Sequence, residues 1–278
     1  MLIITSYSTL ASGRKPLKIR PLPTLGGISF KISSFEDRHD LQTIGYTPTL
    51  MDDTKMLLCV PIIARDTNEA LERIAEAETQ ADIMELRLDL MASVDLKTII
   101  RSALKPIIVT YRSEEEGGMG KADSAIVEDY MTTAVEEGAE YIDVELRMPN
   151  ASRERILKNR GNTRAIISTH INNNTPSQKD LERIYRESKE TGADVIKIVT
   201  MATRWDDNFR LLETVKMARE EDVRIIAFCM GAMGRISRIF SVLMGGFLTF
   251  TSLRTGQESA PGQIPIDEMK MMLEYFSL

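Results

Sequence analysis

Val195-Ile196-Lys197-Ile198-Val199 decides how this chain is read. Four β-branched residues around one lysine make a short strand, and apolar side chains at alternating and intervening positions make it a strand covered on both faces. A lysine in such a place must neutralise itself, find a partner, or serve chemistry. Burial disfavours the ammonium form and lowers its pKa, which turns the amine into a nucleophile. The usual use of such an amine is a Schiff base with a carbonyl compound. The plainer reading is a lysine whose stem is buried while its tip reaches water at the strand end.

Outward from this strand, the same pattern recurs seven times. Strands are predicted over Leu57–Ile63, Ala81–Leu88, Pro106–Tyr111, Tyr141–Leu146, Thr163–Thr169, Asp194–Thr200, Arg224–Met230 and Phe247–Leu253, with helical stretches between them. The helices carry their own punctuation. Asp66 stands three residues before Glu69, as in a capping box, and Thr175-Pro176-Ser177-Gln178 repeats the device with proline at the first helical position. Asp206 or Asp207 suits the start of the helix through Phe209, Leu211, Leu212 and Val215. Gly138 and Gly192 suit left-handed helix ends. A closing helix is predicted over Asp267–Phe276.

Eight strands alternating with helices over about 220 residues predict a (β/α)8 barrel, a TIM barrel, for residues 51–278. A doubly wound open sheet is the alternative, but the first turn, Ala64-Arg65-Asp66-Thr67, lacks the glycines of a nucleotide-binding fingerprint. Residues 1–50 read as a foreign extension. Their first 35 residues hold no acid, are rich in Ser, Thr, Pro and Gly, and show no sustained period. They suggest a mostly disordered segment: either a transit-like leader, spoiled by Pro21, Pro23 and Gly26-Gly27, or a mis-assigned start ahead of Met51 or Met56.

Bulk properties exclude several classes. A net charge of −6 does not suggest general affinity for nucleic acid or anionic membranes. No apolar run approaches the roughly 18 residues that span a bilayer. Cys59 and Cys229, both in apolar runs, predict a reducing, cytoplasmic setting rather than a disulfide scaffold. One domain histidine and two distant cysteines do not make a metal site. Gly118-Met119-Gly120-Lys121 lacks the first glycine and the Ser/Thr of a phosphate loop. No cofactor is implied.

In a barrel the site lies at the strand C-termini, and the polar residues fall there. Glu85, Arg87 and Asp89 alternate on one face of the second strand, pointing together into the mouth or forming a supporting ion pair. Arg112 ends the third strand and offers a planar fork; Glu114-Glu115-Glu116 follows, of which Glu116, next to the glycines, is the candidate. Asp143-Val144-Glu145-Leu146-Arg147 repeats the alternation in the fourth strand, and is read as structural. His170 ends the fifth strand, one unit before Lys197, and neighbouring strands lie about 5 Å apart; an imidazole there can take and return protons. After the seventh strand, Gly231-Ala232-Met233-Gly234 before a helix favours an anion, with Arg235 or Arg238 adding charge. After the eighth, Ser259 and Gln263 sit on a Pro/Gly loop over the mouth.

These blocks resemble type I 3-dehydroquinate dehydratase, the third-step enzyme of the shikimate pathway. The matches are Glu85-Leu86-Arg87-Leu88-Asp89, Thr110-Tyr111-Arg112-Ser113 with Glu116-Gly117-Gly118, Ser168-Thr169-His170, Lys197-Ile198, Met230-Gly231 with Ser237-Arg238, and Ser259-Ala260-Pro261-Gly262-Gln263. The resemblance implies that Lys197 forms the Schiff base with the C3 ketone of 3-dehydroquinate and that His170 moves the C2 proton. It implies that Glu116 orients His170, and that Glu85, Arg87 and Arg112 hold ring hydroxyls and shape the pocket. Arg238 matches the arginine that binds the substrate carboxylate; Ser259 and Gln263 match residues that cover the substrate. It implies also that a nearby arginine disfavours the charged form of Lys197, that no metal or cofactor takes part, and that the chain is a homodimer. A class I aldolase and a non-enzymatic barrel binding a small acid are the competing readings.

Overall fold

The computed structural model describes residues 56–276; the expected extension over residues 1–50 lies outside the described residues. Eight parallel strands are ordered β7-β6-β5-β4-β3-β2-β1-β8. They are β1 (Leu57–Ile62), β2 (Ile83–Arg87), β3 (Ile107–Thr110), β4 (Tyr141–Glu145), β5 (Arg164–Ile171), β6 (Val195–Met201), β7 (Ile225–Met230) and β8 (Leu248–Phe250). β1 pairs with both β2 and β8, and the Phe247 N–H donates to the Ile225 carbonyl at 2.7 Å across the remaining seam. The result is a nearly closed barrel with helices between successive strands, as a TIM barrel requires.

The period of two sorts each strand between two layers. In β6, Ile196 and Ile198 face outward onto Leu181 and Tyr185 of α5 (Gln178–Glu190) and Leu211 and Val215 of α6 (Asp206–Glu220). Fully burying each such side chain contributes about 1.5–3 kcal/mol. Facing the barrel interior are Cys59, Ile83, Ile108, Tyr141, Ile166, Val195, Ile226 and Leu248, which make an apolar plug. Toward the C-terminal end of the strands the same inward rows turn polar: Ile83 gives way to Glu85 and Arg87, Tyr141 to Asp143 and Glu145, Ile166 to Ser168 and His170, and Val195 to Lys197. The floor is sealed and the mouth is charged.

The caps follow the sequence with two changes. Asp66 accepts the Glu69 N–H at 3.0 Å at the start of α1 (Thr67–Ala77), while the Glu69 carboxylate reaches back to the Arg65 N–H. α5 starts two residues later than predicted: Ser177, not Thr175, is the N-cap, accepting the Asp180 N–H, so Pro176 precedes the helix. The Thr175 hydroxyl instead donates to the Met201 carbonyl, pinning the loop to the end of β6. The second change is at α6, where Trp205, and neither Asp206 nor Asp207, is the N-cap and makes no side-chain cap bond; Asp207, inside the first turn, accepts the N–H groups of Thr203 and Arg204 in the preceding loop. Gly138 and Gly192 have φ of 84° and 76° after their helices.

Candidate active site

Glu85, Arg87, Arg112, Glu116, His170, Lys197, Arg238, Ser259 and Gln263 line one pocket of about 300 Å³ at the C-terminal ends of the strands. Asn172, Val199, Met201, Phe228, Met230 and Phe250 complete its walls.

Lys197 is 3% exposed, on the inward face of β6. Its Nζ donates to Asp143 Oδ2 at 2.9 Å and to Glu85 Oε1 at 3.0 Å, and lies 4.4 Å from the Phe250 ring centre. Burial pushes its pKa down, but Asp143 and Glu85 outweigh burial and the more distant Arg112, and the lysine is raised above its usual value. The expectation of a depressed pKa is thereby corrected. The run Val195–Val199 reveals burial and is silent about the two carboxylates on other strands.

The fourth strand is corrected as well. Asp143 belongs to the site: Oδ2 takes Lys197, and Oδ1 takes the Ser168 hydroxyl at 2.5 Å and Arg112 Nη2 at 2.8 Å. Burial works to raise its carboxyl, yet Arg112 and Lys197 prevail and hold it well below the carboxylate range. Its alternation with Glu145 was the available signal, but the same pattern also describes a supporting ion pair. Asp89 follows the second of the two readings, the supporting ion pair, and not the first. It falls in the 3-10 turn Leu88–Leu90 beyond β2, grips Arg87 through two hydrogen bonds of 2.8 Å, and accepts the Arg112 and Met119 N–H groups. It holds the pocket wall from behind.

Arg112 reaches the pocket, but its guanidinium is committed to protein acceptors. Nη1 donates to Glu116 Oε2 (3.1 Å), Glu145 Oε1 (2.9 Å) and Ser168 Oγ (2.9 Å), and Nη2 to Asp143. Breaking a buried ion pair of this kind costs about 3–5 kcal/mol.

His170 is the penultimate residue of β5, at its C-terminal end. Ser168 pairs with Lys197 in register and His170 with Val199, so the imidazole sits one inward step nearer the mouth than the amine. Its Nδ1 is 3.0 Å from Glu116 Oε2, which leaves Nε2 for the substrate side. Burial, Arg112 and Lys197 hold the imidazole well below its ordinary pKa. Glu116 ends a 3-10 turn, Glu114–Glu116, in which its own N–H donates to the Ser113 hydroxyl and whose exit is Gly117 at φ 85°. Glu114 and Glu115 are exposed while Glu116 is 2% exposed. Asn172, which carried no signal in the sequence, packs against Gly117 so closely that an added Cβ would meet its Nδ2 at 2.8 Å.

Arg238 supplies the unpaired charge. It is 1% exposed, on α7 (Arg235–Leu243), with its guanidinium 4.3 Å over the Phe228 ring. Nη2 donates to the Pro261 carbonyl at 3.3 Å, whereas Nε and Nη1 find no acceptor among the described residues. Burial pulls its pKa down to about 9. Arg235, the alternative, is exposed. Ser259 and Gln263 tie the last loop together reciprocally: the Ser259 N–H donates to Gln263 Oε1 at 2.7 Å, and Gln263 Nε2 donates to Ser259 Oγ at 2.9 Å. Among the described residues no cluster of His, Cys, Asp and Glu is arranged to hold a metal ion, and no described helix is long and apolar enough to cross a membrane.

A TIM barrel whose strand ends converge a buried lysine, a histidine–glutamate pair and a free arginine on one pocket defines a (β/α)8-barrel enzyme. Residues 58–278 match the family described as type I 3-dehydroquinase, and the chain belongs to that family. It is 36% identical over 219 residues to a chloroplastic bifunctional 3-dehydroquinate dehydratase/shikimate dehydrogenase of Arabidopsis thaliana, with 77% of this chain aligned to 36% of that longer protein. It is 34% identical over 223 residues to a 3-dehydroquinate dehydratase of Methanopyrus kandleri, covering 77% of this chain and 98% of the relative. A crystal structure of the type I 3-dehydroquinate dehydratase of Clostridium difficile, bearing covalently modified comenic acid, superposes with a TM-score of 0.73 at 28% identity, over 80% of this chain and 92% of that one.

Proposed function

We propose that this chain dehydrates 3-dehydroquinate to 3-dehydroshikimate through an imine on Lys197, with His170 as the proton carrier, within the shikimate route to chorismate and the aromatic amino acids. The observation that supports it most is positional. A buried amine and an imidazole occupy neighbouring inward positions on β6 and β5, in a pocket with an arginine that has no carboxylate partner among the described residues.

Lys197 condenses with the C3 ketone, and the ketone oxygen leaves as water. His170 Nε2 removes a proton from C2, and the electron pair moves into the C2–C3 bond as the iminium becomes an enamine. The enamine then expels the C1 hydroxyl, which takes the proton from His170 and departs as the second water. One water hydrolyses the conjugated imine, releasing 3-dehydroshikimate and the free lysine. An iminium next to C2 accepts the developing negative charge, splitting one hard step into easier ones. Glu116 orients the imidazole. Arg238 takes the substrate carboxylate as a charge-assisted hydrogen-bond donor. Glu85 and Arg87 hold ring hydroxyls, and Arg112 shapes the wall by fixing the carboxylates behind it. Ser259 and Gln263 cover the bound ring. No metal or cofactor enters these steps. Buried free thiols at Cys59 and Cys229 suit a reducing compartment, and we assign the chain to the cytoplasm as a homodimer.

Borohydride trapping with 3-dehydroquinate, read by peptide mass spectrometry, tests the assignment. A reduced adduct on the peptide containing Lys197, with enone absorbance growing in its absence, is expected. No adduct and no enone from folded protein would remove 3-dehydroquinate as the substrate and turn attention to carbon–carbon bond chemistry.

A further inference from the structure

Lys197 meets two carboxylates, and the two are placed differently. Glu85 lines the pocket, so an incoming ring can compete for it. Asp143 lies behind the lining, on the inward face of β4. Its side chain is wholly buried, and both oxygens are fixed: Oδ2 by Lys197 at 2.9 Å, Oδ1 by Ser168 and Arg112. Protein groups alone hold this carboxylate in place.

We propose that Asp143 is a further catalytic residue, the counter-ion that holds the Lys197 nitrogen cationic from the free ammonium through the iminium. This rests on the imine reading above. The overall condensation fits it. The ammonium enters with three protons and one positive charge, and the ketone gives up its oxygen. The nitrogen ends as an iminium with one proton and the same positive charge, the other two protons leaving in water. A fixed anion at 2.9 Å therefore faces a cation before and after the bond forms, and no net charge is left uncompensated in a buried site.

Keeping the imine protonated is what makes it an electron sink, because a neutral imine accepts the C2 electron pair far less readily. The counter-ion thus favours elimination and opposes the first attack, since the amine must shed a proton to become nucleophilic. That proton returns when the carbinolamine hydroxyl leaves as water. The other groups facing Nζ divide on the same lines. Glu85 from β2 supports the cation. Arg112 at the end of β3 opposes it, His170 on β5 adds positive charge only when protonated, and Cys59 on β1 stays a neutral thiol because burial raises it. The Phe250 ring on β8 offers its face to the ammonium.

The test is a single-turnover series with 3-dehydroquinate between pH 6 and pH 10 on wild type, Asp143→Asn and Asp143→Glu. Adduct is read by borohydride quench and intact mass, and product by enone absorbance. Wild-type adduct formation is expected to be still rising at the upper end, because an unperturbed lysine titrates near about 10.4. In Asp143→Asn the rising limb moves to lower pH, while conversion of adduct to product slows about 10²-fold, the scale on which removal of a preorganised transition-state charge partner acts. Asp143→Glu restores the wild-type limb and most of the conversion rate, which a purely structural role would not predict from charge alone. An Asp143→Asn protein that matches wild type in both the limb and the conversion rate overturns the proposal. If circular dichroism shows that Asp143→Asn does not fold, the wild-type profile decides by itself: a plateau reached well below the usual lysine range overturns it. Absence of any Lys197 adduct in wild type is a different result, which removes the imine reading itself.

Discussion

Glu116 Oε2 lies 3.0 Å from His170 Nδ1 and accepts from the His170 backbone N–H at 3.1 Å and from Arg112 at 3.1 Å. The imidazole is thereby held in one orientation with Nε2 free. Burial pushes the Glu116 carboxyl up to about 8, against the pull of Arg112. The His170 N–H and Arg112 both donate to Oε2, while Oε1 has no hydrogen-bond partner among the described residues. The arrangement therefore suits the ionised carboxyl holding an Nδ1–H imidazole.

Glu116→Gln keeps the shape and removes the charge. Its kcat is expected to fall about 10- to 100-fold with KM little changed, a part of the 10²–10⁴ that acid–base catalysis contributes as a whole. The kcat/KM of wild type should rise with pH through about 8 as Glu116 ionises, and this limb should vanish in the variant. His170 itself is neutral down to acidic pH because its pKa is lowered, so it sets no limb near neutrality. A pH–rate profile of both proteins that superposes after scaling would count against this role.

His170→Ala separates bond formation from elimination. Borohydride should still capture substrate on Lys197, while turnover falls about 10²- to 10⁴-fold. Lys197→Ala should lose capture and turnover together. A Lys197→Ala protein with near-wild-type dehydratase activity would sink the assignment.

The barrel was legible because its pattern is local: eight β-branched runs at regular intervals, each followed by a helix, need no knowledge of contacts. The inward polar positions were legible for the same reason, since alternation in Ile83–Arg87 and Arg164–Ile171 places them at the mouth. What the sequence withheld was pairing between strands. Asp143 reads as a supporting acid until β4 and β6 are seen to bring it against Lys197, and the sign of the Lys197 shift depends on that meeting. Asn172 follows the strand as an ordinary loop polar, and only the approach of Gly117 gives it a place.

Burial of the Arg238 cation carries a cost, which a carboxylate bound there is expected to remove. Its pKa falls to about 9 in the folded chain from the ordinary value above about 12. The unfolded state then binds more protons between these values, so stability rises with pH across that window, and at neutral pH the buried cation is destabilising. Arg238→Met should raise the melting temperature of the ligand-free protein and abolish the further rise given by a cyclic carboxylic acid lacking the ketone. It should also raise KM about 10- to 100-fold, the worth of a charged hydrogen bond. Differential scanning fluorimetry with and without that acid reads both effects; a ligand-induced shift surviving in the variant would place the carboxylate elsewhere.

Gly262 fixes how the last loop meets the pocket. It has φ 81°, and an added Cβ would lie 2.2 Å from the Gly231 carbonyl oxygen. The same contact region carries the Gly231 N–H to Pro261 carbonyl hydrogen bond at 2.9 Å, and Pro261 is also the acceptor for Arg238. Gly262→Ala must therefore displace the segment that carries Ser259 and Gln263. Stability should drop by about 1 kcal/mol or more, and kcat/KM should fall with the larger part in KM, since Lys197 and His170 stay on their strands. Steady-state kinetics with KM unchanged would show that the loop does not cover the substrate.

Self-association is the last expectation, and it has a surface to use. Trp205 and Phe209 at the start of α6, Met233 in the turn before α7, and Ile236 and Phe240 on α7 are all exposed, from 37% to 65%. Asn208 Nδ2 donates to the Met233 carbonyl at 2.9 Å, which joins the two elements into one face, and Phe240 extends it to Phe276 of α8 (Ile266–Phe276) with ring centres 5.8 Å apart. Exposed apolar side chains gathered on neighbouring elements suit an interface, and a two-fold axis through them would let the same patch serve both copies. Light scattering should give twice the chain mass of 31.3 kDa. Phe209→Glu with Ile236→Glu should return the monomer mass with the circular dichroism unchanged. A wild-type monomer, or a double variant that stays dimeric, would move the interface to another face of the barrel.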